Sequence, residues 1–186
     1  AWQLDFVLTG SQKALALPPG LALGVAGERA LERAKQTANR GVYFDLLEFE
    51  SYIRKNQTPN TPALSLLFAL AYQVDRISAE TIEVRWARHQ AMAERTWRFA
   101  DEMRATGIEV NVLAPSGYRS PTVTCLTVPP EKKGSEINDR MKAVGYTISS
   151  GYGTLKDSTI RIGHMGDHTV AELEALLGAL ADVLAE

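Results

Sequence analysis

A single cysteine, Cys125, in 186 residues leaves no partner for an internal disulfide. No apolar run approaches the length of a membrane-spanning helix. Like charges never gather into a block: 20 Lys and Arg stand against 22 Asp and Glu, a formal net charge of -2. That balance argues against a nucleic-acid or membrane partner, and the compartment expected is cytoplasmic. No signal peptide is expected, and the sequence does not start with methionine. The chain opens Ala1-Trp2 in the approach to a strand, as if taken from something longer. What is present is ordinary for a folded globular protein: 45% hydrophobic and 23% charged residues, over a length that can bury a sizeable core.

The stretches LDFVLTG (4–10) and LALGVAG (21–27) are almost continuous apolar runs, the pattern of neighbouring strands in a sheet covered on both faces. Residues 28–36 predict a helix opened by Gly27 with an acid in its first turn; the segment through Tyr43, Phe44 and Leu46 commits to neither period. The loop RKNQTPNTPALS (54–65) carries two Thr-Pro pairs, after which Leu64, Leu67, Phe68 and Ala71 predict a helix from near Pro62. Ser78, with Glu80 and Glu83 behind it, reads as the N-cap of a long helix through Trp86, Met92, Trp97, Phe99 and Met103, ended by Gly107. Beyond it, short strands alternate with helices: IEVNVL, TVTCLTV, a helix over 135–144, YTISS, TIRIG and a final helix from Thr169. In that helix Leu173, Leu176, Leu177, Leu180 and Leu184 form one apolar stripe. The expectation is an α/β unit with helices on one face of a small sheet.

One lysine stands apart. In TGSQKALALPPGL (9–21), Lys13 is surrounded by small, apolar or uncharged residues, with a strand before it and Pro18-Pro19-Gly20 after it. A lysine that bonds covalently to a carbonyl cofactor needs an apolar, desolvated setting, a rigid turn that aims it, and neighbours for the cofactor's charged end. The run around Lys13 supplies the first two, and Ser11, Gln12 and exposed amides are candidates for the third. The same pattern also fits a solvated loop lysine.

The wording of the stretch goes further. LTGSQKALALPPGL resembles the cofactor-lysine segment of the class V aminotransferases of fold type I, the pyridoxal-phosphate enzymes that include alanine-glyoxylate and serine-pyruvate aminotransferases. TPNTPALSLLFAL, RWARHQAMAER, SPTVTCLTV and GYGTLKDSTIRIGHMGD follow in the family's order, so the resemblance covers essentially the whole chain. It implies an α/β protein of the fold type I class. Residues 1–80 would end the large mixed-sheet domain, 81–107 would be a linking helix, and 108–186 a small C-terminal α/β domain. The family's pyridine-pairing Asp, ring-stacking aromatic and glycine-rich phosphate loop precede the lysine, and none is found before Lys13. The sequence therefore reads as the C-terminal half of an aminotransferase.

Residue roles follow from the resemblance. Lys13 matches the Schiff-base lysine, both covalent anchor and proton shuttle. Gln12 matches a residue that touches the cofactor phosphate. Thr58 and Thr61 match positions that reach across a homodimer interface to the partner's phosphate, Thr58 less closely, and both also fit ordinary loop and helix-start chemistry. Arg161 matches the arginine that grips the substrate α-carboxylate, for which the planar guanidinium fork is suited; it also fits an exposed strand arginine. His164 reads as bordering the site or as a structural histidine, and Tyr152 as a substrate-loop or a turn tyrosine. Cys125 is expected in the core, which disfavours a cysteine desulfurase, and no metal site is expected from His89 and His168. The activity implied is ping-pong transfer of an amino group from serine or alanine to glyoxylate or pyruvate, with pyridoxal 5'-phosphate as cofactor and active sites shared in a homodimer. Aspartate with 2-oxoglutarate is the rival substrate pair, and a non-catalytic fragment or dimer scaffold the rival of another kind.

Overall fold

The computed structural model describes residues 3–186, so the Ala1-Trp2 start lies outside the described residues. The chain divides into two compact units, Ala1–Arg76 and Ile77–Glu186.

In the first unit the two apolar runs form strands β1 (Phe6–Gly10) and β2 (Ala22–Ala26), paired antiparallel with Phe6 opposite Ala26 and Gly10 opposite Ala22. Their pairing agrees with the sequence pattern, but their burial does not. Phe6, Val7, Leu8 and Val25 are all exposed, because no second layer of described residues lies against this two-stranded ribbon. Helix α1 (Glu28–Lys35) follows as expected. The undecided segment is helix α2 (Leu46–Ile53), started by Asp45, whose carboxylate accepts from the Leu47 amide at 3.0 Å. Helix α3 (Leu64–Glu80) begins two residues after Pro62, and the division between the units falls within it.

Ser78 lies inside α3 and is not a cap; the break comes at Thr81. Its φ of 70° interrupts the helical path, and its hydroxyl accepts from Val84 N at 3.4 Å to start α4 (Ile82–Ala105). The predicted stop holds. Gly107 adopts φ 90°, with Gly107 N donating to Arg104 O and Ile108 N to Met103 O, the paired bonds of a Schellman ending.

The second unit is a four-stranded antiparallel sheet of β3 (Asn111–Val112), β4 (Val123–Thr127), β5 (Ser149–Ser150) and β6 (Thr159–Gly163), in the order β3-β4-β6-β5. Helix α4 packs on β3 and β4, α5 (Gly134–Ala143) on β5 and β6, and α6 (Val170–Ala185) against both helices. Thr169 starts α6 with a capping box: its hydroxyl accepts from Glu172 N while the Glu172 carboxylate accepts from Thr169 N. The stripe of α6 faces inward, with Leu173, Leu177, Leu180 and Leu184 buried and Leu176 packed at the margin. They meet Met92 and Phe99 of α4, Ile137 and Met141 of α5, and Leu126, Ile160 and Ile162 of the sheet. One face of the sheet is thus filled by helices, and its other face carries Arg161. No helix among the described residues is long and apolar enough to cross a membrane.

Candidate active site

The loop between β1 and β2 is built around Ser11, which is completely buried. Its hydroxyl donates to the Pro18 carbonyl at 2.7 Å and accepts from Leu21 N at 3.2 Å. Its amide donates to Leu21 O, and its carbonyl accepts from Leu17 N, both at 3.0 Å. One residue thereby ties the two sides of the loop together four times. The Pro18-Pro19-Gly20 turn closes it, with Gly20 at φ 139° against Leu66 of α3, where a Cβ would lie 2.6 Å from the leucine methyl.

Lys13 stands at the outer turn of this loop, its amide donating to Gly10 O at 3.1 Å and its carbonyl accepting from Ala16 N at 2.9 Å. The side chain is exposed, and its ammonium has no hydrogen-bond or ion-pair partner among the described residues. The rigid turn read from the sequence is present. The desolvated setting is not, since nothing described covers the ribbon from which the loop springs. Gln12 is also exposed and folds its carboxamide back over Gly10, its oxygen 2.5 Å from where a Cβ on that glycine would stand. Lys13 and Gln12 therefore share one fixed turn. Thr58 and Thr61 share another exposed loop; the Thr58 hydroxyl donates to Asn60 O at 2.8 Å, and Thr61 has no side-chain bond among the described residues.

Arg161 belongs to the second unit, at the middle of β6. Ile160 and Ile162 on either side are buried in the core, so alternation turns Arg161 to the opposite, exposed face. Its Nε donates to Ser150 O on β5 at 3.0 Å, and this is the sole hydrogen bond of its side chain among the described residues. Neither terminal nitrogen of the fork has a partner among the described residues. Cross-strand register puts Cys125 of β4 and Ser149 of β5 directly beside Arg161 on the same face. Cys125 is half-buried there, so the expectation of a core cysteine is corrected: Thr124 and Leu126 point into the core, and the residue between them points out.

His164 is structural. It is buried, and both ring nitrogens are engaged within the protein. Trp97 Nε1 can only donate, and does so to Thr124 Oγ1 at 3.1 Å. The Thr124 hydroxyl then donates to His164 Nε2 at 2.8 Å, leaving Nδ1–H to donate to the Pro121 carbonyl at 3.2 Å. Burial, ahead of any other cause, pushes the His164 pKa below the usual imidazole range, which suits the neutral ring this chain of donors requires.

A clamp on the segment after β6 escaped the sequence reading. Arg85, almost wholly buried, bridges Glu80 and Asp167, each at 2.9 Å. Arg88 holds Glu80 and donates to the carbonyls of Gly166 and His168, while His89 Nε2 lies 3.2 Å from Gly166 O. Burial raises the Glu80 pKa, but the Arg88 and Arg85 hydrogen bonds outweigh it and hold the carboxyl below its ordinary value. The signal was available: Arg85, Arg88 and His89 recur at the i, i+3, i+4 spacing of one helix face.

The chain is similar, at 40% identity over 185 residues, to a serine-glyoxylate aminotransferase of Arabidopsis thaliana, covering 98% of this chain and 44% of that protein. A solved alanine-glyoxylate aminotransferase from Nostoc sp. shares the fold with a TM-score of 0.88 at 24% identity, over 98% of this chain and 48% of its own. A pyridoxamine-pyruvate aminotransferase from Mesorhizobium loti superimposes with a TM-score of 0.86 at 28% identity, over 97% and 46%. No protein-family model matches. The chain spans about half the length of the curated relatives it matches. By sequence and by fold, it matches the C-terminal half of aminotransferases of the class V, pyridoxal-phosphate fold type I kind.

Proposed function

We infer that the protein is a pyridoxal-phosphate-dependent aminotransferase working by ping-pong exchange, with serine or alanine as donor and glyoxylate or pyruvate as acceptor. The observation that carries this reading is the setting of Lys13: a cation without a partner among the described residues, held outward on a turn that the buried Ser11 fixes. Lys13 would hold the cofactor covalently and move the proton at the substrate α-carbon, its aim kept by the stapled loop. When bound there, the cofactor supplies the electron sink that makes this proton labile. Gln12, on the same turn, would contact the phosphate. In a homodimer, Thr58 and Thr61 would reach the phosphate of the other copy. Arg161 would orient the substrate by a paired grip on its α-carboxylate, which fork ends without a partner among the described residues permit. In this reading residues 1–80 end the large domain, 81–107 link, and 108–186 form the small domain.

The test is a substrate survey in the longest expressible form of the protein, supplied with pyridoxal phosphate. Serine or alanine with glyoxylate or pyruvate is expected to give turnover that Lys13→Ala abolishes. Undiminished turnover in Lys13→Ala would overturn the reading of Lys13. Higher catalytic efficiency with aspartate than with serine or alanine would overturn the small-substrate preference, and no turnover with any pair would leave the scaffold reading standing.

A further inference from the structure

We propose that Gly151 is a positioning residue for Arg161, acting through the carbonyl of Ser150; this rests on the reading of Arg161 as the carboxylate grip. With Nε bonded to Ser150 O at 3.0 Å and no other bond among the described residues, the direction of the guanidinium fork is set by one acceptor. That acceptor sits at the end of a strand two residues long, Ser149–Ser150, paired to β6 through Ser149 opposite Arg161 and Ser150 opposite Ile160. So short a pairing does not hold a carbonyl by itself. The residue after it does: Gly151 N donates to Thr159 O at 2.8 Å, continuing the ladder beyond the strand.

Gly151 makes that bond only because it has no side chain. A Cβ on Gly151 would fall closer than 3.0 Å to both the Leu155 carbonyl oxygen and the Thr159 hydroxyl. Neither obstacle is the free end of a flexible chain. Leu155 O is main chain, and the Thr159 hydroxyl is held on it by a 2.9 Å hydrogen bond. Thr159 cannot retreat, because Gly134 at the start of α5 lies against its carbonyl so closely that a Cβ there would also collide. Gly134 N further fixes the loop by donating to Asp157 O at 2.8 Å. The φ of Gly151 is outside the left-handed region, so what the position demands is space. Any side chain at 151 must displace the peptide it shares with Ser150, and the displaced carbonyl leaves Nε of Arg161. The connection over 151–158 thus sets the angle at which β6 presents its arginine.

The proposal is tested in the longest expressible form of the protein, with alanine and glyoxylate as the carboxylate probes. Gly151→Ala is expected to raise KM for both by about tenfold while kcat falls less, with pyridoxal phosphate retained as before on gel filtration. In the 15N-labelled protein without cofactor, solvent exchange of the Arg161 Nε–H is expected to quicken at least about tenfold in the variant. In an Arg161→Lys background, which has no Nε to anchor, Gly151→Ala is expected to add less than about twofold. Equal penalties in both backgrounds, or unchanged Nε–H exchange, would overturn the role of Gly151 alone. An unchanged KM in Arg161→Lys itself would overturn the reading of Arg161, and the proposal with it. If Gly151→Ala does not fold, Thr159→Val makes the same comparison by removing the Thr159–Leu155 bond. A KM rise of about threefold confined to the Arg161 background supports the proposal, and equal rises in both backgrounds overturn it.

Discussion

Ser11 and His164 are polar side chains buried near exposed functional candidates, Ser11 satisfied by main-chain groups alone and His164 by one carbonyl and one hydroxyl. Replacing Ser11 with Ala leaves Pro18 O and Leu21 N without their partner, a cost of about 1–3 kcal/mol. Amide exchange at Leu17 and Leu21 is expected to rise accordingly, and unchanged exchange would show that the loop does not depend on the hydroxyl. For His164, and for His89, burial lowers the folded pKa, so the unfolded chain takes up protons first as pH falls. Their stabilising contribution is therefore complete above about pH 6.5 and is lost progressively below it. The denaturation midpoint is expected to fall between about pH 7.5 and 5.5, with a shallower dependence in His164→Gln; an equal slope in the variant would contradict the account. Arg161 was legible because strand alternation alone turns it away from Ile160 and Ile162. Ser11 and His164 were not, since their partners lie 7 to 43 residues away and are mostly carbonyls and amides that no side-chain pattern marks. Cys125 was misread because Val123 and Cys125 give the outward face of β4 an apolar composition.

At the scale of elements, termini were read best where the chemistry is local. Gly107 ends α4 and Thr169 starts α6 through bonds that span only a few residues. Thr169→Ala removes the Glu172 N acceptor and the reciprocal geometry, at about 1 kcal/mol. Faster amide exchange in the first turn of α6 is the expected sign, and an unchanged first turn would mean that packing of Leu173 suffices to hold it. The break at Thr81 was not legible. Ser78 and Thr81 are both plausible caps in isolation, and the choice between them involves Glu80, which Arg85 and Arg88 hold at the end of α3. Helix α2 was missed although Asp45 and Glu48 stand at the spacing of a capping box; the aromatic Tyr43 and Phe44 ahead of them, stacked edge to face at 4.9 Å, obscured the start.

The two units differ in how far their own residues complete them. The second has a core, a covered sheet face and side-chain caps at the starts of α4 and α6, and its alternation of strands and helices was readable because the α6 stripe finds its cover within the unit. The first carries a ribbon with apolar side chains exposed on both faces, Leu8 at 69% and Val25 at 73%, and a two-stranded ribbon is marginal without a packed layer. Burial on both faces was the expectation that failed, and the chain's span of about half its relatives' length is the context in which it failed. Lys13 lies in this unit, so the claim on which the functional account turns is tested there. Pyridoxal phosphate is added to the longest expressible form of the protein, the adduct is reduced with borohydride, and the modified peptide is mapped by mass spectrometry. The account predicts a phosphopyridoxyl group on Lys13; a folded protein that takes up no label, or takes it up at another lysine, would contradict it.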